Sequence, residues 1–389
     1  MRRIDLRSDT ITTPSEEIRL ALSSTSIGDE IYGEDINVFD LEERMATMFG
    51  KESALFFPTG TMCNLAAVMA WCSVRSSEII VGNQSHMFLF EQAGVTQFGG
   101  VSQRAVPNLH DGTMDLHQIR CSIRDNHLHE PHTTLICIEN THSACGGKVL
   151  PINYLAQLSS LAQAHSLPIH LDGARIWNAL TKLKKKPIQI GRFVDSLSVC
   201  LSKSLGSPIG SVLLGPEAFI EKARKIRSSL GGSMRQIGLM AAAGIVALDE
   251  YEKETECFIE KDHERMQLLA SSITHATAFK IDVPQTNILL MEILLYDKRW
   301  HEHMISVKVS DMLKEKGVLV CAWSTRKLRL VMHKTISNED IQYTIQAIED
   351  VSNKLEQHAT FMYKLMKILL FWKTFFMTTF QRMQPFHKS

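Results

Sequence analysis

The chain has 389 residues, 44% of them hydrophobic, which is enough to bury a large core and predicts more than one domain. Lys plus Arg and Asp plus Glu both total 42, so no overall field draws the protein to nucleic acid or to a membrane. Residues 357–389 carry five of the basic residues and no acid, leaving 37 basic against 42 acidic in a mildly acidic body.

The start, "MRRIDLRSDT", holds Asp5 and Asp9 and no apolar run, so a secretory signal is not expected. "FDLEERMATMFG" reads as an amphipathic helix closed by Gly50, and "SALFFP" as a strand stopped by Pro58. "TGTMCNLAAVMAWC" follows as a helix, then "EIIVG" and "TTLICIEN" as strands, "INYLAQLSSLAQAHS" as a helix and "LPIHLDGAR" as a strand. In "SVCLSKSLGSPIGSVLLG", apolar runs on both sides of Lys203 read as buried strands joined by a short loop. This alternation predicts an α/β fold with a mainly parallel, doubly wound sheet and a ligand site at the carboxyl ends of its strands.

From residue 216 two long helices are expected. "FKIDVPQTNILLMEI", "VLVCAW" and "KLRLVMH" then read as strands of a smaller α+β domain. The expected division is a large domain over 1–250, a small C-terminal domain over 251–356 and a tail over 357–389. Lys364, Lys367 and Lys373 interrupt the apolar tail, which falls short of the ~20 predominantly apolar residues of a spanning helix. Its readings are a basic amphipathic helix touching a membrane surface, an extra packing helix, or a sequence foreign to the folded body. Eight cysteines, at 63, 72, 121, 137, 145, 200, 257 and 321, show no metal or redox spacing; free thiols and a cytoplasmic location are expected.

Several polar residues fall at strand ends. A lone loop lysine such as Lys203 either points into water or, in a dry pocket, loses part of its preference for the charged form and attacks carbonyls. Asp172 closes a buried strand and needs a cation, which is either Arg175 three residues on or a protonated pyridine nitrogen. Gly60 and Thr61 open a helix after a strand, where free amides suit phosphate and where Thr also serves as an ordinary cap. His86 follows "EIIVG" and is either structural or placed to stack on a ring and exchange protons near neutral pH. "HLHEPH" holds His127, His129 and His132 but lacks a clear fourth ligand, so no metal site is expected there, although one of the three remains a catalytic candidate.

In chain order these form a glycine turn after a strand, a stacking histidine, a strand-end Asp with Arg three residues on, and a loop lysine. That order resembles the pyridoxal phosphate enzymes of the aspartate aminotransferase fold type. More narrowly, "IDLRSDTIT", "GDEIYGEDINV", "PTGTMCN", "QSHMF", "LDGARIWNA", "CLSKSLGSPIGSVLLG" and "LGGSMRQIG" resemble threonine aldolases of the low-specificity or allo-threonine type, from Ile4 to about residue 350. The resemblance implies pyridoxal 5'-phosphate held covalently by Lys203, with Asp172 on the ring nitrogen and His86 stacked on the ring. It places Gly60, Thr61 and Arg235 on the phosphate, with Arg175 also near the cofactor. Ser8, Arg175 and Arg329 would clamp the substrate carboxylate, Tyr32 would lie near the substrate, and His129 would be a second active-site histidine. The implied reaction is cleavage of L-threonine or L-allo-threonine to glycine and acetaldehyde by a homodimer or homotetramer. The alternatives are another lyase of the same fold, including a β-eliminating one, and a scaffold of that fold without turnover. Cys63, Ser233 and Met332 depart from the family's usual residues, which bears on substrate preference and rate.

Overall fold

The structure is a computed structural model that describes residues 3–382 except 126 and 254–256, with side chains described through residue 360. Its strands, in chain order, begin with β1 (Ile4–Asp5), β2 (Ser53–Phe57), β3 (Ser77–Gly82), β4 (Ser102–Val106) and β5 (His132–Glu139). Next come β6 (Ile169–Gly173), β7 (Ser196–Cys200) and β8 (Ser211–Gly215). β2 to β8 form one seven-stranded sheet in the order β2-β8-β7-β6-β5-β3-β4. Neighbours from β7 to β4 are parallel, whereas β8 runs antiparallel to both β7 and β2. The two reversals bring the carboxyl end of β2 back to the same edge as those of β3, β5, β6 and β7.

β6, β7 and β8 are buried along their whole length, as expected where helices cover both faces of a sheet. Side chains alternate between the two layers: Ile80 joins a core with Phe49, Ile136, Leu171 and Trp177, while Ile79 and Val81 face the opposite layer with Val68 and Leu135. The helix Ile36–Phe49 ends at Gly50, whose φ of 66° is the left-handed turn that glycine adopts without a Cβ penalty. The long helix expected from residue 234 begins at Gly238.

The second unit holds β9 (Phe279–Ile281), β10 (Ile288–Ile293), β11 (Val318–Leu319), β12 (Cys321–Ser324) and β13 (Lys327–Val331). Its antiparallel sheet has the order β12-β13-β10-β9. The stretch expected as one region of strand, "FKIDVPQTNILLMEI", is thus two strands separated by a turn. Leu289, Met291, Leu328 and Leu330 of this sheet pack against Met266, Leu269, Val309 and Ile348 of three helices. Ile4 and Leu6 belong to this second core too, because β1 pairs in parallel with β11. The last helix, Asn338–Arg382, carries the chain into the tail, whose side chains, and with them the membrane-surface reading, lie outside the described residues. No helix among the described residues is long and apolar enough to cross a membrane.

Candidate active site

A cavity of about 380 Å³ opens at the carboxyl edge of the large sheet. Its lining includes Gly60, Thr61, His86, Asp172 and Lys203, five of the residues singled out from the sequence, together with Asn64. Each arrives from a different strand end: Gly60 and Thr61 after β2, His86 after β3, Asp172 on β6 and Lys203 after β7. The volume falls in the range that small cofactors occupy.

At one end the helix Gly60–Trp71 points its N-terminus into the cavity. Thr59 caps it, its hydroxyl accepting from the Met62 amide at 3.1 Å. The amides of Gly60 and Thr61 have no partner among the described residues, so both are available to an anion at the positive end of the helix dipole. Asp172 is buried. One carboxylate oxygen accepts from the Ala174 amide and the other from Asn64 Nδ2, each at 3.0 Å.

Arg175 does not pair with Asp172, which corrects one of the two readings of that carboxylate. Its Nε and Nη2 donate to the two oxygens of Asp9 at 2.8 and 2.6 Å, with both residues buried. The cause is local: Arg175 lies just past β6, before the helix Ile176–Leu183, where its side chain meets the N-terminal segment. Among the described residues no cation forms an ion pair with Asp172. A buried carboxylate with two neutral donors, facing a cavity that also holds an amine, fits a protonated ring nitrogen.

Burial would raise the Asp9 carboxyl, but the charge and hydrogen bonds of Arg175, helped by Lys203, bring it down to about 2. Arg329, on β13, lies 4.2 Å from the centre of the Trp323 ring and donates to the Arg7 carbonyl at 3.2 Å. Its Nε has no partner among the described residues. Burial and the charge of Arg175 push the pKa of Arg329 down. Two guanidiniums that repel each other make a ready seat for a carboxylate. Ser8 caps the short turn Asp9–Ile11, its hydroxyl accepting from the Thr10 amide at 3.3 Å.

Six expected site residues are not in the lining of this cavity: Ser8, Arg175 and Arg329, whose contacts are given above, and His129, Tyr32 and Arg235. His129 is exposed and precedes β5, so it sits at the amino edge of the sheet, about 25 Å from the carboxyl edge for an eight-residue strand. Tyr32 is 77% exposed and lines a separate cavity of about 620 Å³ with Phe39 and Arg224. The Arg235 side chain is 63% exposed and lies 3.9 Å from Asp29.

Three buried residues at the site were not expected: Asp9, Asn64 and Glu91. Asn64 is the one polar residue buried inside an otherwise apolar helix, a signal that its amide must have partners. Glu91 is buried five residues after His86, and its carboxylate meets His86 Nδ1 at 2.8 Å. Burial lowers the pKa of His86, but the Glu91 hydrogen bond and the charges of Asp172, Glu91 and Glu139 outweigh it and raise the value overall.

Comparison with known proteins agrees with this geometry. Residues 5–294 match the family described as beta-eliminating lyase. The chain is 38% identical over 361 residues to low-specificity L-threonine aldolase 1 of Arabidopsis thaliana, covering 92% of this chain and 98% of that protein. It is 36% identical over 338 residues to the low specificity L-threonine aldolase of Escherichia coli K12, covering 87% of this chain and 96% of that one. A Leishmania major threonine aldolase structure shares the fold, with a TM-score of 0.73 at 17% identity over 90% of this chain and 99% of that chain. With its lysine, carboxylate and helix N-terminus around one cavity, the chain belongs to the beta-eliminating lyase family, among the threonine aldolases.

Proposed function

We propose that the protein cleaves L-threonine and L-allo-threonine to glycine and acetaldehyde with pyridoxal 5'-phosphate. The observation that carries this reading is the convergence of Lys203, Asp172 and His86 on one cavity at the head of the parallel sheet. When bound, the cofactor supplies an electron sink for the pair released as the Cα–Cβ bond breaks. Lys203 would hold its aldehyde carbon. Asp172 would keep the ring nitrogen protonated, His86 would cover the ring face, and the Gly60 and Thr61 amides would take the phosphate.

Arg175 and Arg329 grip the substrate carboxylate, with Ser8 beside them. A carboxylate held at two fixed points sets the rotation about the Cα–N bond, and so decides which bond at Cα is broken. His86 removes the β-hydroxyl proton, and a proton returned to Cα completes glycine.

The exposure of His129, Tyr32 and Arg235 supports an assembly of at least two copies, in which these residues serve a neighbour's cavity. Ile31, Tyr32, Ile36 and Phe39, all exposed, give that assembly an apolar surface to cover.

The test is product analysis on purified protein given L-allo-threonine or L-threonine. Equal amounts of glycine and acetaldehyde are expected. Ammonia and a keto acid in their place would assign the chain to β-elimination, and neither product would leave only a scaffold.

A further inference from the structure

Beneath the cavity lies a chain of buried hydrogen bonds that ends on the Asn64 amide. Trp71 Nε1, which can only donate, is 2.9 Å from Ser196 Oγ. Ser196 Oγ lies a further 2.9 Å from His170 Nδ1. Burial brings the His170 pKa down to about 4, so its ring is neutral near neutral pH. Asn64 Oδ1, which can only accept, lies 3.2 Å from His170 Nε2, so the proton of the neutral ring sits on Nε2 and Nδ1 accepts from Ser196. Ser198 Oγ donates to the same Asn64 oxygen at 2.7 Å. The Asn64 amide is thereby fixed, its NH₂ facing two carboxylates at 3.0 Å each, Glu91 Oε1 and Asp172 Oδ2.

We propose that Glu91 is the positioning residue of His86: its carboxylate accepts a hydrogen bond from Nδ1–H, which keeps the proton of the neutral ring there and leaves Nε2 as the basic nitrogen that faces the substrate hydroxyl. This rests on the aldolase reading. His86 Nδ1 lies 2.8 Å from Glu91 Oε1, while Nε2 makes no hydrogen bond among the described residues. The backbone amide of His86 is held separately, donating to Glu139 Oε2 at 2.8 Å. Charged groups facing the ring are Glu91 from the following turn, Asp172 from β6, Glu139 from β5 and Lys203 across the cavity. As Nε2 takes the hydroxyl proton, the O–H pair becomes the second bond of the aldehyde carbonyl and the Cα–Cβ pair passes to the cofactor. The positive charge formed on the ring then lies against Glu91. The same amide ties Asp172 into place, so one residue, Asn64, sets the spacing between the ring-nitrogen carboxylate and the base.

The test is nitrogen-15 NMR of histidine-labelled holoenzyme, with His86 assigned from the His86→Asn variant, alongside pH profiles of kcat/KM for wild type, Glu91→Gln and Glu91→Asp. Neutral His86 is expected to carry its proton on Nδ1. Because Glu91 raises the His86 pKa, Glu91→Gln should move the acid limb of kcat/KM to lower pH. It should also lower kcat roughly tenfold or more on the plateau, a part of the ~10²–10⁴-fold that general-base help supplies in full. Glu91→Asp should recover part of both effects. A merely structural role would lower stability or cofactor binding and leave the acid limb in place, which overturns the proposal. A proton on Nε2 in the wild type overturns it without any variant, so the outcome stands even if Glu91→Gln does not fold. Wild-type enzyme that yields no glycine defeats the aldolase reading instead, and the NMR result still reports on the pair.

Discussion

Replacing Asp9 with Asn tests how the carboxylate clamp is built. The substitution keeps the shape and removes the charge that faces Arg175 at 2.6 and 2.8 Å in a fully buried site. An Asn oxygen can still accept one guanidinium N–H, but its NH₂ then meets a second donor. Leaving one member of a buried pair uncompensated costs about 3–5 kcal/mol. For a urea slope of roughly 3 kcal/mol per M, the unfolding midpoint should fall by about 1–1.7 M.

The pH dependence gives a second handle. The carboxyl is depressed from 3.8 to about 2 in the folded protein. That difference corresponds to about 2.5 kcal/mol, present at pH values above the unfolded pKa and lost as pH falls toward the folded one. The deficit of Asp9→Asn should therefore be full at neutral pH and shrink by about 1 kcal/mol near pH 3. Urea titrations of both proteins, at fixed protein and cofactor concentration, measure it. A deficit below about 1 kcal/mol that does not change with pH would refute the assignment of Asp9 as the partner that holds Arg175.

Lys203→Ala should abolish glycine formation and the covalent attachment of cofactor that borohydride traps in the wild type; attachment that survives would reject Lys203. Arg329→Ala removes a charge-assisted contact, so KM for the amino acid should rise roughly 10- to 100-fold, with cofactor affinity held; an unchanged KM would take Arg329 out of the clamp. Mixing His129→Ala with Lys203→Ala subunits under exchange conditions should restore up to about a quarter of wild-type activity if His129 serves a neighbouring cavity, because hybrid dimers then carry one intact site. Full activity of His129→Ala on its own would place His129 outside the reaction, and no recovery in the mixture would refute its service to a neighbouring cavity.

The large sheet was legible because its central strands are short apolar runs stopped by Pro, Gly or Ser, and the residues at their carboxyl ends were legible for the same reason. Lys203, Asp172, His86 and Gly60 needed only the rule that such ends share one edge. β4 gave no such signal. It is an edge strand whose residues Ser102–Ala105 are exposed or half-buried, so no apolar run marks it. β1, two residues long, is defined by a partner more than 300 positions away, which no local pattern can announce. Asp9 and Glu91 read as ordinary surface charges in sequence, because what makes them informative is the burial that only the fold imposes. His129, Tyr32 and Arg235 followed from motif position alone, and motif position carries no information about which copy of the chain a residue serves.

The pairing of Ile4–Asp5 with Val318–Leu319 has a consequence for biogenesis. At roughly 5–20 residues per second, the ribosome releases the partner strand about 15–60 seconds after the first residues emerge. The large sheet can close in that interval, but the parallel pairing of the opening segment must wait for the last fifth of the polypeptide. A nascent chain stopped near residue 300 would therefore hold the cavity at the sheet's carboxyl edge but lack β11 and β13, and with β13 the Arg329 of the proposed clamp.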